Sequence, residues 1–136
     1  MPMVGSTPVF TTTEASARLQ QAVHAKAVNF YAMYSSVLGG IVTDPAYMVL
    51  PLDDHMVHRG HAVFDTAAIV KGKLYQLDAH LERLLRSAEM ARLHLPHAPE
   101  QLRQIIIDTA AASRQRNASV RYWVSAGPGG SPRPCL

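Results

Sequence analysis

Residues 57–93 read VHRGHAVFDTAAIVKGKLYQLDAHLERLLRSAEMARL, and the hydrophobic period changes partway along them. Phe64 to Val70 is apolar and rich in small and β-branched residues, as a buried strand requires. Lys71-Gly72 supplies a hairpin turn, and Lys73 to Leu77 reads as the return strand. From Asp78 onward the period becomes helical. Leu81, Leu84, Leu85 and Ala88 fall on one face, Asp78 stands where an N-cap belongs, and Pro96 closes the segment.

The flanks extend this pattern. APEQLRQIIIDTAAASRQ (98–115) makes a second helix with Pro99 in its first turn, a stripe of Leu102, Ile105 and Ile106, and Asn117 as the stop. SVRYWVS (119–125) is a strand by composition, and AGPGG (126–130) is a turn. Upstream, EASARLQQAVHAKAVN (14–29) is Ala-rich and helix-prone, with Thr13 as a candidate cap. Tyr34, Val37, Ile41 and Val42 suggest strand, broken by turn signals at Gly39-Gly40 and Asp44-Pro45. MVLPL (48–52) reads as a short strand ending at Asp53-Asp54. Strands, two helices and a further strand predict an α+β fold: antiparallel strands with two packed helices.

The 136 residues are 48% hydrophobic and 17% charged, a globular composition with room for one core. The net charge of +3 comes mostly from arginines spread along the chain. No basic stripe interleaved with aromatics appears, so nucleic acid is not an expected partner. No apolar run approaches the ~20 residues of a membrane span, and no membrane partner is expected. The lone cysteine, Cys135, rules out a disulfide within the chain and points to a reducing compartment. The N-terminus lacks the order of a secretory signal. These features leave cytoplasm or plastid.

Three groups of residues could carry chemistry. His55, His58 and His61 have a spacing of three and could hold zinc on a helical face. Arg59 and Gly60 interrupt them, however, and the segment reads as a loop whose histidines pair with Asp53 or Asp54. No metal site is therefore expected. Arg83 sits beside the apolar stripe of its helix, where a guanidinium can grip a dianion in bidentate fashion or simply face solvent. Asp65 and Glu82 could form a carboxylate pair, but nothing fixes their separation. No G-x-S-x-G, P-loop or G-x-G-x-x-G motif is present. Unaided, the residues reach a basic α+β domain that binds a small molecule or a partner.

The combination VFD, VKGKLYQL and AHLERLLRSA resembles the small N-terminal domain of fold-type IV pyridoxal-phosphate enzymes. These include the branched-chain and D-amino-acid aminotransferases and the aminodeoxychorismate lyases. The flanks DDHMVHRGHAVFDTA and RYWVSAGPGG are most similar to a plant D-amino-acid-aminotransferase-like branch. The resemblance implies an N-terminal extension, partly helical, over 1–32, the family domain over 33–130, and a non-family tail over 131–136. It implies that Arg83 binds the phosphate of pyridoxal 5'-phosphate. It implies that Phe64 and Thr66 line the substrate pocket and that Arg121 helps bind the substrate carboxylate, with Tyr122 or Trp123 competing for core positions on the same strand. Substrates would be amino acids and oxo acids, and the partner a second copy or a full-length paralogue.

The resemblance also implies a larger second domain that carries the Schiff-base lysine. Lys26, Lys71 and Lys73 are the only lysines, and none stands at that family position. Transamination needs an amine that holds the cofactor aldehyde and moves the substrate proton. The expectation is a truncated aminotransferase-like chain with no catalytic residue of its own and weak cofactor binding. Its parent activity would be amino-group transfer on D- or branched-chain amino acids. The alternatives are an aminodeoxychorismate-lyase-like parent, or a non-catalytic partner of a full-length paralogue.

Overall fold

The computed structural model describes residues 2–26 and 28–129. Cys135 and the tail over 131–136 lie outside the described residues. The chain is α+β, and among the described residues every strand pairing is antiparallel. A small hairpin joins β1 (Met3–Val4) to β2 (Thr7–Pro8), and α1 (Thr12–His24) follows. A second hairpin pairs β3 (Met33–Ser35) with β4 (Gly40–Val42). After a 3-10 turn at Pro45–Tyr47 come α2 (His55–Arg59), β5 (Ala62–Val70), β6 (Lys73–Leu74), α3 (Leu77–Met90), α4 (Pro99–Ala112) and β7 (Ala118–Ser125).

The main sheet has the order β6-β5-β7, with long β5 in the centre. Alternate residues of β5 and β7 point to opposite faces. Asp65, Ala67, Ile69, Tyr122 and Val124 are buried on one side. That side packs on Leu77, Leu81, Leu84 and Ala88 of α3 and Ile106 of α4, which form the core with Leu93. Leu84 is completely buried at the centre. The helical spacing in the sequence is what brings these leucines onto one stripe. Arg103 Nε donates to Asp78 Oδ1 at 2.7 Å and ties α4 to the first turn of α3.

Several element ends differ from the sequence expectation, each for a local reason. The return strand stops at Leu74 because Gln76 turns left-handed (φ 49°) and Leu77 already opens α3. Asp78 is therefore inside the helix and not its cap. Helix α3 ends at Met90, well before Pro96, with Arg92 left-handed just beyond it. Helix α4 ends at Ala112, and Asn117 instead accepts a hydrogen bond from the Lys71 backbone N–H at 3.0 Å, which braces the β5–β6 turn. Thr11, not Thr13, caps α1, in a reciprocal box with Glu14 that lowers the Glu14 pKa. That helix ends at His24, short of residue 29.

Val37 lies in the turn between β3 and β4, and residues 48–52 form no strand. Of the three histidines, only His61 lies in the short connection between α2 and β5, outside helix and strand. His55 and His58 belong to α2, which Asp54 caps through the Met56 N–H, while left-handed Gly60 ends it.

Candidate functional site

The local sequence VFDTA places three side chains in three different environments within one strand. Asp65 points to the helix-covered side and is only 4% exposed. A carboxylate there requires partners, since burial of an unpaired charge costs several kcal/mol. It finds four donors. Arg83 Nε donates to Oδ2 at 2.6 Å and Arg83 Nη2 to Oδ1 at 2.7 Å, a bidentate pair. His80 Nδ1 lies 2.9 Å from Oδ1, and the Thr66 backbone N–H donates to the same oxygen at 2.6 Å. Arg83 foremost, with His80 and the Thr66 N–H adding to it, holds the Asp65 carboxyl well below the usual carboxylate range, against the opposing effect of burial.

His80 and Arg83 are one helical turn apart on α3, so both face β5. The Arg83 side chain remains 63% exposed although its head is tied to Asp65. Its Nη1 makes no hydrogen bond among the described residues and faces outward as a spare donor edge. Tyr122, opposite Asp65 in the strand register, is buried on the same side. Burial, reinforced by the Asp65 charge, pushes its pKa up to about 12. Its hydroxyl has no hydrogen-bond partner among the described residues.

The opposite face of the sheet gathers the other three expected residues. Thr66 pairs with Arg121 in register, and Phe64 pairs with Trp123. Arg121 Nε donates to Thr66 Oγ1 at 3.3 Å. The Arg121 guanidinium carbon lies 5.2 Å from the centre of the Phe64 ring, within cation–π range. Phe64 is 59% exposed and Trp123 51%. Of the two aromatics weighed for the core, Tyr122 takes it and Trp123 does not.

Asp65 and Glu82 do not form a carboxylate pair, because Asp65 is fully engaged with Arg83 and His80. Sequence reasoning missed His80 and the role of Asp65 as an anchor. The usable signal was an acidic residue alternating with buried positions on a strand ahead of a helix bearing His and Arg three apart. Among the described residues the side chains of His55, His58 and His61 do not pair with those of Asp53 or Asp54. His61 Nε2 meets the Ala91 carbonyl at 2.9 Å, while Asp54 accepts from Ser125 Oγ at 2.9 Å. No group of three or more His, Cys, Asp or Glu able to hold a metal occurs among the described residues.

The sequence profile of the amino-transferase class IV family matches residues 62–135, which include β5, the Asp65–Arg83 pair and the Phe64–Thr66–Arg121 face. The chain belongs to this family. Its members are pyridoxal-phosphate-dependent and act on amino and oxo acids. A chloroplastic D-amino-acid transaminase of Arabidopsis thaliana is 56% identical over 132 residues, 95% of this chain and 35% of that protein. A bifunctional aminodeoxychorismate lyase / D-amino acid transaminase of Mycobacterium tuberculosis is 31% identical over 99 residues, covering 71% of this chain and 34% of its own length. A branched-chain aminotransferase structure from Thermoproteus uzoniensis with norvaline superimposes with a TM-score of 0.58 at 26% identity, covering 68% of this chain and 33% of its own. The chain spans about a third of the length of the curated relatives it matches.

The residues of this class IV chain fit the family's cofactor at one end only. The spare Arg83 donors suit a phosphate dianion. The aldehyde end finds no amine. Lys71 and Lys73 flank the β5–β6 turn, roughly 20 Å along the strand from Asp65 at about 3.3 Å per residue. Lys26 follows α1, in the N-terminal segment ahead of the residues that match the family profile. The cofactor as a whole therefore does not fit the residues described here, and no reaction step is routed through it.

Proposed function

We infer that this chain supplies the phosphate-gripping and substrate-facing part of a class IV aminotransferase site, with residues 33–130 as the unit that does so. Arg83 is the clamp for the cofactor phosphate, set in place by Asp65 and His80. Phe64 and Thr66 line the substrate side, and Arg121 takes the substrate carboxylate. The whole reaction is amino-group transfer between amino and oxo acids, on D- or branched-chain substrates as in the relatives' names, in cytoplasm or plastid. An aminodeoxychorismate-lyase-like reaction is the alternative that the bifunctional mycobacterial relative favours. The observation that carries the reading is the pinned guanidinium: a buried carboxylate fixes Arg83 by two bonds and leaves its outer edge free.

On its own the chain grips phosphate weakly. One charge-assisted contact contributes about 1.5–3 kcal/mol, whereas millimolar affinity needs about 4 kcal/mol. A second reading, a non-catalytic partner of a longer paralogue, draws on the exposed Phe64 and Trp123.

The test is an NMR titration of the Arg83 side chain with inorganic phosphate and with pyridoxal phosphate. The Arg83 Nε–H signal should move with both ligands at tens of millimolar or above. Arg83→Gln should abolish the effect elsewhere in the domain. A phosphate response that is the same in Arg83→Gln sinks the assignment.

A further inference from the structure

The open face of the β5–β7 sheet is ordered along its length. Phe64 lies opposite Trp123, Thr66 opposite Arg121, and Ala68 opposite Ser119. The face thus runs from aromatic through cationic to small. Trp123 follows Arg121 by two residues on the same side of the strand, about 7 Å away along its axis. The strand has a buried place for an aromatic side chain, and Tyr122 fills it. The indole instead remains half in water beside a cation.

Arg121 is held rather than free. Its Nε bonds Thr66 and its guanidinium lies over the Phe64 ring, so its remaining donors have a fixed plane. A carboxylate seated on those donors would place its substituent over the Phe64–Trp123 pair on one side, or over Ala68 and Ser119 on the other. The aromatic side offers the larger apolar area beside Arg121, because beyond Ala68 the next apolar side chain on this face is Val70, about 13 Å from Thr66 along the strand.

We propose that Trp123 is a specificity-determining residue, which sorts ligands by the apolar size of the group attached to the carboxylate at Arg121. This rests on the reading of Arg121 as the carboxylate-binding residue. An aliphatic chain laid on the indole gains from each methylene it shields, about twofold in affinity for a half-covered group.

Trp123 is the only tryptophan of the chain, so it reports on its own surroundings. The probes are acetate and 4-methylpentanoate, with 4-methylpentanamide as the neutral control, at constant ionic strength. Indole emission and the Arg121 Nε–H resonance are followed together. The branched acid should bind at least about fivefold more tightly than acetate, and the amide should leave Arg121 unmoved. In Trp123→Ser, read at Arg121, the ratio between the acids should fall to within about twofold. In Trp123→Phe, which keeps an aromatic ring, most of the preference should survive. Equal binding of the two acids to the unaltered chain, or an unchanged ratio in Trp123→Ser, overturns the role of Trp123 and leaves Arg121 intact. No carboxylate response at all, or one that persists in Arg121→Gln, overturns the Arg121 reading itself.

Discussion

The two faces of the β5–β7 sheet are built from alternate residues of the same strands, yet they serve opposite ends. The face toward α3 and α4 carries Asp65, Ala67, Ile69, Tyr122 and Val124, all buried. The face away from them carries Phe64, Thr66, Arg121 and Trp123, with both aromatics more than half exposed. On the covered face even the charged residue is structural in the first instance: Asp65 fixes Arg83 and is paired at both oxygens. On the open face Arg121 bonds Thr66, and Phe64 and Trp123 stay more than half exposed among the described residues. Burial is concentrated on one side of the strands and exposed aromatic and cationic surface on the other, and period-two alternation is what separates them.

The contrast is broken most severely in the core. Leu84→Ala, at a fully buried site, should cost about 3–4 kcal/mol. Phe64→Ala on the open face should cost less than about 1 kcal/mol. Urea denaturation of both variants measures the difference, and comparable losses would erase the distinction between the faces.

Asp65→Asn comes next, at about 2 kcal/mol, since it weakens a buried charge-assisted pair without leaving a cavity. Its effect depends on pH. The folded state holds Asp65 below its unfolded value of about 3.9, so the carboxylate contributes fully above about pH 5. That contribution is lost as pH falls below about 4 toward the folded value. The gap between the unaltered chain and Asp65→Asn should therefore close on acidification, and a gap that is constant from pH 7 to pH 3 would contradict the pairing.

Gly129→Ala should cost about 1 kcal/mol. The loop after β7 is laid against Asp53–His55: Gly129 N–H donates to the Asp53 carbonyl at 2.7 Å, and the His55 N–H to the Gly127 carbonyl at 2.9 Å. A Cβ on Gly129 would stand 3.0 Å from His55 Cε1 and Nε2 and 3.2 Å from the Asp53 carbonyl. Faster amide exchange at Gly129 and His55, with the α3 core unchanged, is the expected signature. The smallest effect belongs to Tyr122→Phe. Removal of a buried hydroxyl with no partner among the described residues should raise stability by up to about 1 kcal/mol, visible as a small rise in Tm.

Much of this was legible in the sequence. The helical stripe of Leu81, Leu84 and Ala88 and the apolar run before it gave the core of the fold, because periodicity reports burial directly. Element ends were less readable. Left-handed residues such as Gln76 and Arg92 terminate elements through backbone geometry that their identities do not announce. Phe64, Thr66 and Arg121 came together through strand register, which depends on β7 finding β5 across more than fifty residues of chain. Arg83 stands out in the sequence by its place beside the helical stripe, but only the family likeness implies a role for it, and its anchor Asp65 enters only as half of a conceivable carboxylate pair whose separation nothing fixes. A charge partner fixed by the tertiary fold has no spacing rule in one dimension.

In the proposed function Arg83 grips phosphate, and none of Lys26, Lys71 and Lys73 forms an imine with the cofactor. The measurement that tests this most directly is incubation of the purified chain with pyridoxal phosphate, borohydride reduction and peptide mapping, alongside an assay for turnover of amino donors. The expected result is no turnover and lysine labelling no greater than in an unfolded control. One stoichiometric adduct at Lys26, Lys71 or Lys73, accompanied by amino-group transfer, would contradict it.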